Sequence, residues 1–107
     1  MRIAIAAAAF ALATSVLAGP ALAQDLPSTP VETVDLGNGV YALVTNRAGN
    51  VGLLSGEDGV FMVDTQMAPF ASALDEAQRA ITGADVNIVL NTHLHGDHVL
   101  GNKYFAE

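Results

Sequence analysis

The chain has 107 residues, with 11 Asp and Glu against 4 Lys and Arg, for a formal net charge of −7. That length allows one domain at most. The charge argues against a nucleic-acid partner, because displacing counterions from phosphates takes clustered Lys and Arg. The sequence contains no cysteine, which removes disulfides, thiolate metal sites and a Cys nucleophile together.

Met1-Arg2 is a short positive start, and Ile3 to Ala18 is an uncharged apolar run broken only by Thr14 and Ser15. Gly19-Pro20 ends that run, and Ala21-Leu22-Ala23 places small residues on both sides of a leucine. Charged start, apolar run and small-x-small box are the order of a secretory signal peptide, cleaved after Ala23. The run is shorter than the roughly 20 apolar residues a bilayer span needs. Its Ala-rich make-up is of bacterial type, so the expected location is secreted or periplasmic, with no membrane attachment after cleavage.

Residues 24–30 carry Pro27, Ser28, Thr29 and Pro30 and read as a linker. Residues 31–107 read as the folded domain. Val31 to Leu36 and Val40 to Thr45 are expected strands, joined by Gly37-Asn38-Gly39, residue types that tolerate positive φ. Val51 to Ser55 and Val60 to Val63 are two more strands, separated by Gly56-Glu57-Asp58-Gly59. Four short strands at hairpin spacing predict an antiparallel sheet. The period then changes. Phe70, Leu74, Ala77 and Ile81 form one stripe of an amphipathic helix, with Ser72, Asp75, Glu76 and Arg79 facing away. Pro69 suits the first turn and Gly83 the C-terminal cap. Val86 to Leu90 follows as a strand apolar on both faces, which predicts cover on both.

All three histidines lie in Asn91-Thr92-His93-Leu94-His95-Gly96-Asp97-His98, where that last strand ends. In extended backbone, residues two apart point the same way, so His93 and His95 present two imidazoles to one point. Gly96 allows a sharp turn that brings Asp97 and His98 toward the same pocket. Neutral imidazole and carboxylate are donors that zinc and other first-row divalent metals take.

Thr92 to His98 resembles the His-x-His-x-Asp-His signature of the metallo-β-lactamase superfamily. Asp64, closing Val60-Phe61-Met62-Val63, is similar to an acidic residue that supports the metal loop from behind the ligands in that superfamily. Asn50-Val51-Gly52 and Gly101-Asn102 also fall in familiar places. The resemblance implies an α+β fold, the N-terminal half of an αββα sandwich. It implies that His93 and His95 bind a first metal and that Asp97 and His98 bind a second. The ions would be zinc, one or two of them, with iron or manganese as alternatives. A divalent ion lowers the pKa of bound water from about 15.7 toward about 7, giving a nucleophile at neutral pH. Asp97 would orient that water or carry its proton, which makes it the catalytic residue. The implied function is metal-dependent hydrolysis of an ester, amide, lactam or thioester bond in a small-molecule substrate.

Superfamily members draw further ligands from a distal His, in many branches a bridging Asp, and a final His. No fourth histidine is present, so the expectation is a domain truncated on its C-terminal side that self-associates or needs its missing half. Two other classes stay open: an exported metal-binding fragment without turnover, and a half-domain completed by a partner polypeptide.

Overall fold

The structure is a computed structural model that describes residues 30–106; the expected signal peptide (1–23) and the linker as far as residue 29 lie outside the described residues. Five strands form one sheet in the order β1-β2-β3-β4-β5. They are β1 (Val31–Gly37), β2 (Val40–Thr45), β3 (Val51–Gly56), β4 (Gly59–Val63) and β5 (Ile88–Leu90). The first four pair antiparallel, as the hairpin spacing predicts, and β5 pairs parallel to β4. A parallel neighbour needs a crossover. The chain makes it through a single 3-10 turn at Ala68–Phe70 and the helix α1 (Ala71–Thr82).

Local chemistry explains the punctuation. Gly37, Asn38 and Gly39 all have positive φ (87°, 56° and 79°), the backbone a tight reversal between twisted strands requires. Pro69 lies in the 3-10 turn that precedes α1, not in the first turn of α1 itself. Gly83 closes α1 in the left-handed conformation, its N–H donating to the Arg79 carbonyl.

One face of the sheet packs on α1. Leu43, Val51, Leu53, Val60, Met62 and Leu74 form the buried core, with Tyr41, Phe70, Ala77, Ile81 and Val89 packed against it. The expected stripe of α1 therefore faces inward. It is wider than the apolar residues alone, because Gln78 is fully buried as well. Its amide donates to Asp75 Oδ1 at 2.9 Å and to the Ala84 carbonyl at 3.0 Å. The supposed outward residue Asp75 is thereby drawn against the body of the protein.

The expectation for Val86 to Leu90 needs two corrections. Regular pairing begins only at Ile88, because Asn87 binds Val60 differently: its N–H donates to the Val60 carbonyl, and its Oδ1 accepts from the Val60 N–H. The strand is also covered on one face only. Val89 packs on the core, but Ile88 and Leu90 are 56% and 53% exposed.

Beyond β5 the chain makes two single-turn helices, α2 (Gly96–Val99) and α3 (Asn102–Phe105). They fold back against the loop that leaves β4: the Thr65 N–H donates to the His98 carbonyl at 2.9 Å and the Gly101 N–H to the Gln66 carbonyl at 3.0 Å. A Cβ at Gly101 would overlap the Thr65 carbonyl oxygen, so this close approach requires glycine.

Candidate metal centre

Adjacent strands β4 and β5 end side by side, Val63 opposite Leu90. The loops leaving them therefore start together, one carrying Asp64 and the other residues 91–98. Asp64 follows β4 at once, is buried and has φ of 64°, a left-handed conformation that short polar side chains tolerate better than most.

Asp64 is a hub. Its Oδ1 accepts the Thr92 N–H at 2.7 Å, and its Oδ2 accepts both the Thr92 hydroxyl and His98 Nδ1–H at 2.7 Å. Burial by itself raises the Asp64 pKa. The bonds from the Thr92 N–H, the His98 ring and the Thr92 hydroxyl, with the attraction of the His98 ring, outweigh it and hold the carboxyl below its ordinary value. A carboxylate accepts only, so it selects the histidine tautomer that donates from Nδ1. His98 Nε2 is then the nitrogen left with a free lone pair. The same logic reaches His93 through one relay. The Thr92 hydroxyl gives its proton to Asp64, so it accepts from His93 Nδ1 at 2.9 Å, and His93 Nε2 is left free.

The free nitrogens sit beside the other donors of the loop. His93 Nε2 accepts from His95 Nδ1–H at 3.0 Å, a hydrogen bond whose proton a shared ion would replace. Two nitrogens bound to one tetrahedral zinc at about 2.0–2.1 Å would be roughly 3.3 Å apart, so the pair fits a shared ion with a small adjustment. His98 Nε2 lies 3.3 Å from Asp97 Oδ2. The His93 and His98 rings are 4.1 Å apart between centroids, so the two pairs adjoin. Among the described residues, no group of three or more His, Asp or Glu side chains is arranged to hold an ion as it stands. The donors form two pairs rather than a closed cage.

The structure thus brings His93, His95, Asp97, His98 and Asp64 into one locality. The reading of sequence alone assigned no role to several neighbours. Thr92 couples Asp64 to His93. Gly49, in the β2–β3 loop, lies so close that a Cβ there would stand 2.8 Å from the Asp97 carbonyl oxygen and 3.2 Å from His98 Nε2. The buried Gln66 holds that loop, its amide donating to the Thr45 hydroxyl and to the carbonyls of Arg47 and Gly49. Two non-glycine residues with positive φ, Asp64 and Gln66, flank Thr65. Strain of that kind persists where surrounding contacts fix it, and nothing in residue composition announces it.

A mixed sheet with a crossover helix, feeding a histidine–aspartate loop off neighbouring strand ends, defines a class. Residues 44–107 match the family model of the metallo-beta-lactamase superfamily, and the chain belongs to that superfamily. Its fold is similar to that of a subclass B3 metallo-beta-lactamase of Bradyrhizobium japonicum, with TM-score 0.62 and 26% sequence identity. The match covers 73% of this chain and 30% of that one, so the structure corresponds to part of the longer fold.

Proposed function

We propose that this chain carries the metal-binding part of an exported metallo-hydrolase that cleaves an ester, amide, lactam or thioester bond in a small molecule. The observation that carries the reading is the paired presentation of donors: His93 Nε2 with His95 Nδ1, and His98 Nε2 with Asp97 Oδ2. Superfamily membership and the likeness to a metallo-beta-lactamase support it. His93 and His95 would hold one divalent ion, with zinc the expected metal for nitrogen and oxygen donors, and Asp97 and His98 would hold a second. A bound ion supplies Lewis acidity, which polarises the substrate and makes water nucleophilic at neutral pH. The protein's own part is placement. Asp64 and Thr92 fix both ring tautomers, and Gly49 leaves room for His98. Asp97, more exposed than Asp64, would orient the attacking water or carry its proton through the carboxylate oxygen not turned to His98. The leader 1–23 directs the protein to the periplasm, where the substrate is met.

The test is hydrolysis by the intact protein, the whole zinc-loaded metallo-hydrolase that carries this chain, over a panel of lactam, ester and thioester substrates. Turnover that disappears on chelation and returns with zinc supports the proposal. Stoichiometric zinc with no turnover on any substrate would instead identify a metal-binding protein without catalysis.

A further inference from the structure

The helix α2 is a single turn, and a helix that short cannot satisfy its own last carbonyls. It nonetheless carries both Asp97 and His98. The His98 carbonyl is met from outside, by the Thr65 N–H at 2.9 Å and by Asn91 Nδ2 at 3.1 Å. Asn91 is in turn aimed by Asn102, the first residue of α3. The two amides bond reciprocally, Asn102 Nδ2 donating to Asn91 Oδ1 at 2.6 Å and Asn91 Nδ2 to Asn102 Oδ1 at 3.1 Å. The Thr65 hydroxyl completes the ring by donating to Asn102 Oδ1 at 2.7 Å. Among the described residues no buried side-chain nitrogen or oxygen is left without a partner, so the network is closed.

We propose that Thr65, Asn91 and Asn102 are positioning residues that hold the Asp97–His98 half of the donor set in place before any metal arrives. They grip the main chain of His98 from behind while Asp64 fixes its ring in front. His93 and His95 lie ahead of this turn, and among the described residues none of the three side chains bonds to either. The network therefore acts on one donor pair and spares the other. The two asparagines and the threonine come from three separate segments, which ties the ends of β4 and β5 to the start of α3. The inference rests on the pairing of donors proposed above.

Its test uses Asn102→Asp and Thr65→Val in the intact protein, since a change at Asn91 would also disturb His93 nearby in the chain. Asn102→Asp keeps size but sets an acceptor against Asn91 Oδ1; Thr65→Val keeps shape and the backbone donor but removes the hydroxyl. Without metal, the imidazole nitrogen signals of His98 should lose the single Nδ1-protonated pattern in both variants, while those of His93 and His95 stay as in wild type. Titrated with zinc alone against a chromophoric chelator, one of the two affinities should fall about 10-fold, the scale of losses behind metal ligands, and the other should hold. Thr65→Ser, which restores the hydroxyl, should recover both readouts. Folded variants with unchanged His98 signals would overturn the proposal, as would equal disturbance of all three histidines. If wild type binds no zinc, the donor-pair reading fails by itself, and the imidazole signals alone then decide the positioning role.

Discussion

Asp64 decides the chemistry of two histidines at once. It accepts from His98 Nδ1–H directly and orients His93 through the Thr92 hydroxyl, and so leaves both Nε2 atoms without a proton. An amide at that position cannot accept from all three donors. Asp64→Asn is therefore expected to weaken metal binding about 10- to 100-fold without removing a ligand, measurable by chelator competition. Asp64 also links stability to pH, together with Asp75. Burial raises the Asp75 pKa, but its bonds from Gln78, Arg79 and Tyr104 leave it lowered overall. A carboxyl with a depressed folded-state pKa stabilises the fold fully above its unfolded value of about 3.9, and that share is lost as pH falls through the folded value. Thermal melting points should thus fall as pH drops below about 4, and Asp75→Asn should lessen that fall. A melting profile in which wild type and variant fall in parallel would refute the linkage. At this scale the clustering of the candidate donors is legible in the sequence and their supports are not. Three histidines and an aspartate in one short stretch are visible in a row. Thr65, Gln66 and Asn102 are common polar residues whose roles arise only when distant loops meet.

The elements were legible where their signals are local. Alternation gave the hairpins, and glycine and asparagine gave the turn at Gly37-Asn38-Gly39. The stripe through Leu74, Ala77 and Ile81 gave α1. What was not legible is set by long-range partners. Asn87 shortens β5 by bonding Val60, and the buried Gln78 sits on the inward side of α1 because Ala84 and Asp75 take its amide protons. Two glycines separate backbone strain from crowding. Gly37 has φ of 87° with open space around it, so Gly37→Ala should cost about 1–2 kcal/mol from strain alone. Gly101 has ordinary backbone but abuts the Thr65 carbonyl, so Gly101→Ala should cost more and should loosen α3 from the β4 loop. Hydrogen exchange at the Gly101 and Tyr104 amides, read beside denaturant melts, checks both; equal and purely global losses would contradict the distinction.

Across the whole molecule the sheet is two-faced. One face is sealed by α1. The other carries two cross-strand rows in register, Val34, Ala42, Gly52, Val63 and Leu90, and Val40, Leu54, Phe61 and Ile88, without a charged side chain in either. Leu54, Ile88 and Leu90 are each about half exposed. Contiguous apolar surface of this kind marks a face that is covered in use. A polypeptide of residues 24–107 prepared alone is therefore expected to associate, to bind zinc weakly and to show turnover near background. Sedimentation of a monodisperse monomer with robust, chelator-sensitive hydrolysis would contradict that expectation.

The central claim is that His93 with His95, and Asp97 with His98, hold metal as two pairs. Metal content per chain, by elemental analysis of the intact protein beside its His95→Ala variant, tests it most directly. The account predicts that the variant loses one ion and its activity while the fold and the ion at Asp97 and His98 remain. Wild-type metal content in folded His95→Ala protein would contradict the account by removing His95 from the site.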